Sequence, residues 1–188
     1  MFDLARVPVL ETERLRLRLS READFPAYAA MQGDPEVMRF LGGGAGMTER
    51  GAWHSFAVMV GQWALRGYGM LIVEGRAGQG FIGRVGIYHP ESWPGPELAW
   101  TLARAHWNKG YATEAAAAFR DWAFATLKMP RLISIIDPAN VPSIRVAEKI
   151  GETLDREMEI EGKTVRIYAI SGPSPAARGR GISFLTRA

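Results

Sequence analysis

The 188-residue chain is predicted to fold as a single mixed α/β domain, one sheet with helices on both faces. Two observations carry this. The apolar segments run in the order strand, helices, three strands, helix, strand, helix, two strands. Their periods also differ. Leu15, Leu17 and Leu19 alternate with Arg14, Arg16 and Arg18, the period-two mark of a half-buried strand, whereas Trp53, Phe56, Val60 and Trp63 recur at helical spacing.

After the Leu15–Leu19 strand, Ser20 is the expected N-cap of a helix beginning Arg21-Glu22-Ala23-Asp24. A short second helix is expected from Asp34-Pro35. Gly42 to Gly46 break the chain, and Thr48 caps the longer helix that carries the tryptophans. Tyr68–Glu74 and Phe81–Tyr88 read as strands joined by a turn over Gly75–Gly80, and Glu97–Ala103 as a third. Alanine-rich Thr113–Leu127 reads as a helix, Arg131–Ile136 as a strand, and Ser143–Ile150 as a helix stopped by Gly151. Thr153–Glu161 and Lys163–Ile170 form a closing hairpin. The domain is expected over 10–170, with 1–9 as an N-terminal extension and 171–188, rich in Gly, Pro and Arg, as a disordered basic tail.

Composition excludes several classes of function. There is no cysteine, so disulfides, thiolate metal sites and a cysteine nucleophile are ruled out. His54, His89 and His106 lack ligand-pair spacing, and no metal is expected. The net charge of +3 equals the three tail arginines, Arg178, Arg180 and Arg187. The basic balance is therefore a property of the tail and gives no evidence of a nucleic-acid surface on the domain, and a nucleic-acid partner is not expected. No stretch approaches the ~20 apolar residues of a membrane helix, and Met1–Leu10 lacks a signal-peptide core. A cytoplasmic protein without a membrane partner is expected.

Two segments carry the chemistry. In Trp107-Asn108-Lys109-Gly110-Tyr111-Ala112-Thr113-Glu114-Ala115, a strand passes through a glycine turn into a helix. Backbone N–H groups in the first turn of a helix have no helical acceptor, and the dipole adds positive potential there. Such a turn suits a pyrophosphate, although a plain strand-to-helix turn would read the same way. In the second segment, Asn140-Val141-Pro142-Ser143 leads into a helix containing Glu148-Lys149-Ile150-Gly151. There Asn140 and Ser143 are, on residue type alone, capping residues.

Together, in this order and separated by one strand, the two segments resemble the coenzyme A motifs of the GNAT superfamily of N-acetyltransferases. The likeness is to the subgroup that includes ribosomal-protein N-terminal (alanine/serine) acetyltransferases, and it spans about 10–170. It implies a mostly antiparallel sheet of about seven strands, splayed at the acyl-CoA site, with acetyl-CoA as co-substrate and an amine as acceptor. The acceptor is either a protein N-terminus or a small molecule. Dimers are common in the family. The resemblance assigns the amides of Asn108, Lys109, Gly110, Tyr111, Ala112 and Thr113 to the pyrophosphate. Trp107 stands where Gln or Arg is usual. Asn140 falls to the pantetheine arm and Ser143 to the thiol. The strand Leu98–Leu102 is implied to splay, with backbone N–H groups of Leu102 and Ala103 on the pantetheine and acyl carbonyl. Ala147 stands where many members carry a tyrosine that protonates the leaving thiolate, and Glu152 where a phenylalanine is usual.

Acyl transfer to an amine needs a proton acceptor, since a lysine amine titrates near ~10.4 and an α-amine near ~8. Glu97, at the head of the strand leading into the glycine turn, is the candidate base, with a surface carboxylate as the plain alternative. Ser143 is the substitute acid that the resemblance implies. His89, beside Pro90, is placed in an exposed loop. Tyr88, Trp93, Trp100 and Tyr168 line a pocket or fill the core. A GNAT-like protein that binds acyl-CoA without efficient turnover is the alternative to an enzyme.

Overall fold

The computed structural model describes residues 1–42, 44–76 and 78–173. The expectation for the tail beyond 173 lies outside these residues. Eight strands form one sheet in the order β1-β2-β3-β4-β5-β6-β8-β7. They are β1 (Leu10–Glu11), β2 (Leu15–Arg18), β3 (Met70–Gly75), β4 (Gly80–Tyr88), β5 (Glu97–Leu102), β6 (Arg131–Ile136), β7 (Thr153–Ile160) and β8 (Lys163–Ser171). The mixed, mostly antiparallel sheet is as expected, with the two-residue β1 as the additional strand.

Five helices pack on the sheet: α1 (Phe25–Gly33), α2 (Pro35–Met38), α3 (Glu49–Arg66), α4 (Tyr111–Trp122) and α5 (Val141–Lys149). Asp34 and Thr48 cap α2 and α3 as their residue types predict, accepting from the N–H groups of Glu36 and Gly51. Ser20 does not cap. Asp24 accepts from the Arg21 N–H instead, because its carboxylate also forms a bidentate pair with the buried Arg18. α4 continues as a π-helical turn over Ala123–Leu127.

The main core lies between the sheet and α4, with Leu15, Leu17, Leu98, Leu132 and Phe119 fully buried. A second core holds α1 and α3 on the other face, through Tyr28, Phe56, Met59 and Ile72. The first residues dock on the domain. Phe2 donates its N–H to the Ala64 carbonyl, and its ring packs 6.2 Å from Trp63.

Every neighbouring pair of strands is antiparallel except β5 and β6, which are parallel and share a single register pair, Glu97↔Ile133. Beyond it the two strands diverge. Ile133 N–H still reaches the Pro96 carbonyl at 3.1 Å. One step further, the Ser134 hydroxyl takes the Leu98 carbonyl at 2.7 Å, replacing a backbone rung with a side chain. This splay is the opening that the candidate site lines.

Candidate active site

β5 forms one wall of the opening and delivers both ends of the site. Its six residues span about 17 Å at ~3.3 Å each, with Glu97 at the start and the glycine turn just past the end. Backbone groups in an antiparallel ladder alternate sides. Ala103 N–H donates to the Ile82 carbonyl at 2.9 Å, so the odd-numbered residues of β5 face β4 and the even-numbered ones face the splay. The expectation for Ala103 is therefore corrected, because its amide is engaged within the sheet. The amides of Trp100 and Leu102 have no ladder partner on the β6 side.

After β5 the indole of Trp107 donates to the Leu102 carbonyl at 2.8 Å and Lys109 Nζ donates to the Ala105 carbonyl at 2.9 Å. These two side chains hold the turn. Asn108 and Gly110 both adopt left-handed backbone, with φ of 59° and 80°, which turns the chain sharply into α4. Gly110 is the residue type that does so without a Cβ penalty. The N–H groups of residues 108–113 make no hydrogen bond to described residues.

A clamp that sequence reasoning missed holds this turn against the β1–β2 connection. The Glu114 carboxylate accepts from Thr12 Oγ1 at 2.5 Å, from Arg14 N at 3.0 Å and from Arg14 Nε at 2.6 Å. Arg14 Nη1 also donates to the Lys109 carbonyl at 3.0 Å. Burial pushes the Glu114 pKa up, but the hydrogen bonds from Thr12 and Arg14 outweigh it and hold the pKa low. An arginine and a glutamate 100 residues apart in sequence carry no local signal.

At the other end, Glu97 is not a freely solvated surface carboxylate. It is partly buried, and the Trp93 indole donates to its Oε2 at 2.8 Å. Burial pushes its pKa up to about 7, against the pull of Trp93, the Ile135 amide and the Arg84 guanidinium. Tyr88 lies opposite Glu97 in the β4–β5 register and packs edge-on to Trp93 at 5.5 Å. His89 is engaged elsewhere. Its Nδ1 meets the Tyr68 hydroxyl at 2.8 Å, and burial together with Arg66 lowers its pKa.

On the far side of the splay, Asn140 caps α5, its Oδ1 accepting from Ser143 N–H at 3.3 Å. The Ser143 hydroxyl is partly exposed and makes no hydrogen bond to described residues. Ala147 is fully buried under Ile136, Tyr168, Trp100 and Ile144, so apolar and aromatic groups fill the space beside it.

Glu152 is buried, 2% exposed, with its Oε1 3.0 Å from Ser134 Oγ. The Ser134 hydroxyl has one hydrogen, and the Leu98 carbonyl it meets can only accept. A protonated Glu152 donating to Ser134 Oγ satisfies the serine hydroxyl and the Leu98 carbonyl, while Glu152 Oε2 stays buried without a partner among the described residues. Burial raises its pKa to about 8, and the charge of Glu97 adds to the shift. Folding thus holds a proton on Glu152 that the unfolded chain releases near its ordinary 4.5. That stability is fully present below about pH 4.5 and is lost as pH rises through about 8. Glu152→Gln keeps the donor and removes the titration. It is expected to leave the melting temperature unchanged at about pH 4.5 and raise it at about pH 9 by several degrees, on the order of 1 kcal/mol or more. Thermal melts across that range check this, and an equal effect at both ends would contradict it.

A sheet splayed at one parallel pair, with a glycine turn of unbonded amides at one end of the strand and a desolvated carboxyl at the other, fits an extended thioester cofactor. The acetyltransferase (GNAT) domain model matches residues 14–153, and the chain belongs to that family. It is an acyl-CoA-dependent acetyltransferase. Among solved structures it is similar to the acetyltransferase from Agrobacterium tumefaciens str. C58, at 38% identity and TM-score 0.79, covering 87% of this chain and 94% of that one. The protein YkkB of Bacillus subtilis (strain 168) is 32% identical over 164 residues, 85% of this chain and 93% of YkkB. A ribosomal L7/L12 α-N-protein acetyltransferase, solved in complex with coenzyme A, shares the fold at 16% identity and TM-score 0.74, covering 88% of this chain and 98% of that one.

Proposed function

We propose that the chain transfers the acetyl group of acetyl-CoA to a primary amine, on a protein N-terminus or a small molecule, by direct attack within a ternary complex, with 10–170 as the transferase domain. The observation that carries this is the placement of Glu97. It is partly desolvated, has its pKa pushed up to about 7 by burial, and heads the strand whose Trp100 and Leu102 amides face the splay. The amides of the 108–113 turn and the α4 dipole bind the pyrophosphate. Asn140 contacts the pantetheine arm through its side-chain NH₂, since its Oδ1 is engaged as a cap. A β5 amide, Trp100 or Leu102, donates to the thioester carbonyl as negative charge develops there.

Acetyl-CoA supplies the acetyl thioester. Glu97 accepts the proton that the attacking amine must shed, either directly or through one water. A base whose pKa lies near the working pH is efficient, because it is largely deprotonated yet still a useful proton acceptor. Ser143 then donates to the departing sulfur. Thiols titrate near ~8.5, so the thiolate leaves with modest help, which makes an alanine at 147 tolerable. Ser143→Ala is expected to lower turnover about tenfold and to weaken acetyl-CoA binding by a smaller factor. Steady-state kinetics with thiol detection and calorimetry check both. A loss larger than that of a Glu97 variant would reverse the two assignments.

A further inference from the structure

On the α1/α3 face of the sheet, β4 presents Arg84 and Tyr88 to a cavity of about 230 Å³ roofed by α3. Arg84 is partly buried and forms no ion pair among the described residues. Its partners are neutral, with Nη1 on the Tyr28 hydroxyl at 3.0 Å and Nε at 3.5 Å from Thr101 Oγ1. The buried guanidinium of Arg18 is treated differently. Arg18 is met by the carboxylates of both Asp24 and Glu74. Glu97 acts on Arg84 only at a distance. A partly desolvated charge without a directly bonded counter-charge is costly, and a binding site whose ligand brings that partner has reason to keep one.

Hydrogen-bond counting identifies a second donor beside it. The Tyr28 hydroxyl accepts from Gln32 Nε2 and from Arg84 Nη1, so its own hydrogen goes to Ser55 Oγ, 2.7 Å away. Ser55 is thereby an acceptor toward Tyr28, and its hydrogen makes no other bond to described residues. Ser55 and Arg84 both line the cavity, and the remaining wall is mostly apolar, with Met47, Val58, Met59 and Met70. Tyr88, which pairs with Glu97 across the β4–β5 ladder, closes the end nearest the carboxyl.

We propose that the acceptor is an amino-carboxylate with an apolar body. In this reading its carboxylate is held by the Arg84 guanidinium and the Ser55 hydroxyl, while its amine lies toward Glu97. A single positive charge with one hydroxyl matches a monoanion, and the planar fork of arginine matches a carboxylate. The inference rests on the amine-acetylation reading above and narrows its acceptor.

Matched pairs of apolar amino acids and their carboxamides, compared per free amine at saturating acetyl-CoA, test it. The carboxylate should be favoured in kcat/KM by about 10- to 100-fold, mainly through KM. In Arg84→Met that ratio should fall to near one, and in Arg84→Lys part of it should remain, with melting temperatures reporting that the variants fold. Equal use of acid and amide by the native chain, or an unchanged ratio in a folded Arg84→Met, would overturn the proposal. If no amine is acetylated, the functional reading fails instead. Calorimetry of N-acetyl amino acids against N-acetyl carboxamides in the presence of coenzyme A then decides the inference separately. Tighter binding of the carboxylate that depends on Arg84 supports it, and equal binding overturns it.

Discussion

Glu97→Gln is expected to lower turnover by about 10²- to 10⁴-fold near pH 7, the range typical of a lost positioned base. The sign of its pH dependence follows from the site. Burial lifts the Glu97 pKa to about 7, so the native rate should rise with pH through that value as the carboxylate forms. The glutamine variant has no such limb. Its rate should climb steadily toward the pKa of the amine, where free amine is supplied without help, and the gap between the two enzymes should narrow there. The substitution keeps a polar group against Trp93 and Tyr88, so the packing around β5 is retained. pH–rate profiles with one acceptor at saturating acetyl-CoA check this. Superimposable profiles would make Glu97 a structural carboxylate.

The second large effect belongs to Gly110. Its φ of 80° lies where an L-residue costs roughly 1–2 kcal/mol, and a β-branched side chain is restricted further. A Cβ there would also sit 3.4 Å from Arg14 Nη2, so a branched side chain presses on the Arg14–Glu114 clamp that holds the turn. Gly110→Val must either strain the left-handed turn or relax it, and relaxation re-aims the amides of 108–113. Acetyl-CoA affinity is expected to fall about 100-fold, the equivalent of one to two charge-assisted hydrogen bonds. Calorimetry on a variant shown to be folded by its melt checks this. An unchanged Kd would remove the turn from the cofactor site.

These two predictions rest on features that were legible to different degrees. The glycine turn and the Asn140–Ser143 cap are contiguous, and their residue types state their geometry. The strands at 81–88, 131–136 and 163–170 and the cap at Thr48 follow from local period and capping chemistry in the same way. What the sequence did not disclose depends on distant pairing. Whether Leu102 or Ala103 faces the splay is a matter of parity, and a one-residue slip reverses it. That parity is set by β4, through the bond from the Ala103 N–H to the Ile82 carbonyl. The divergence of β5 and β6 reflects where a parallel pair stops, and no residue in either strand announces that. Glu97 as an isolated letter gives no measure of its burial, which comes from Trp93 four residues upstream and from β6. Arg84, Tyr28 and Ser55 meet from β4, α1 and α3, so their shared hydrogen bonds appear only once the second core is assembled. Glu152 carried one cue, an acid directly after the glycine that ends α5, at a position where the family it resembles usually carries phenylalanine.

The central claim is acetyl transfer to an amine at the splay of β5 and β6. It is tested most directly by incubating the full chain with acetyl-CoA and a panel of peptide N-termini, amino acids and polyamines, measuring free thiol and acetylated amine in the same reaction. The account predicts acceptor-dependent thiol release matched one-for-one by acetylated amine, and at least about 100-fold slower near neutral pH in Glu97→Gln. Saturable acetyl-CoA binding with no acceptor-dependent release, or thiol release without an acetylated product, would contradict it.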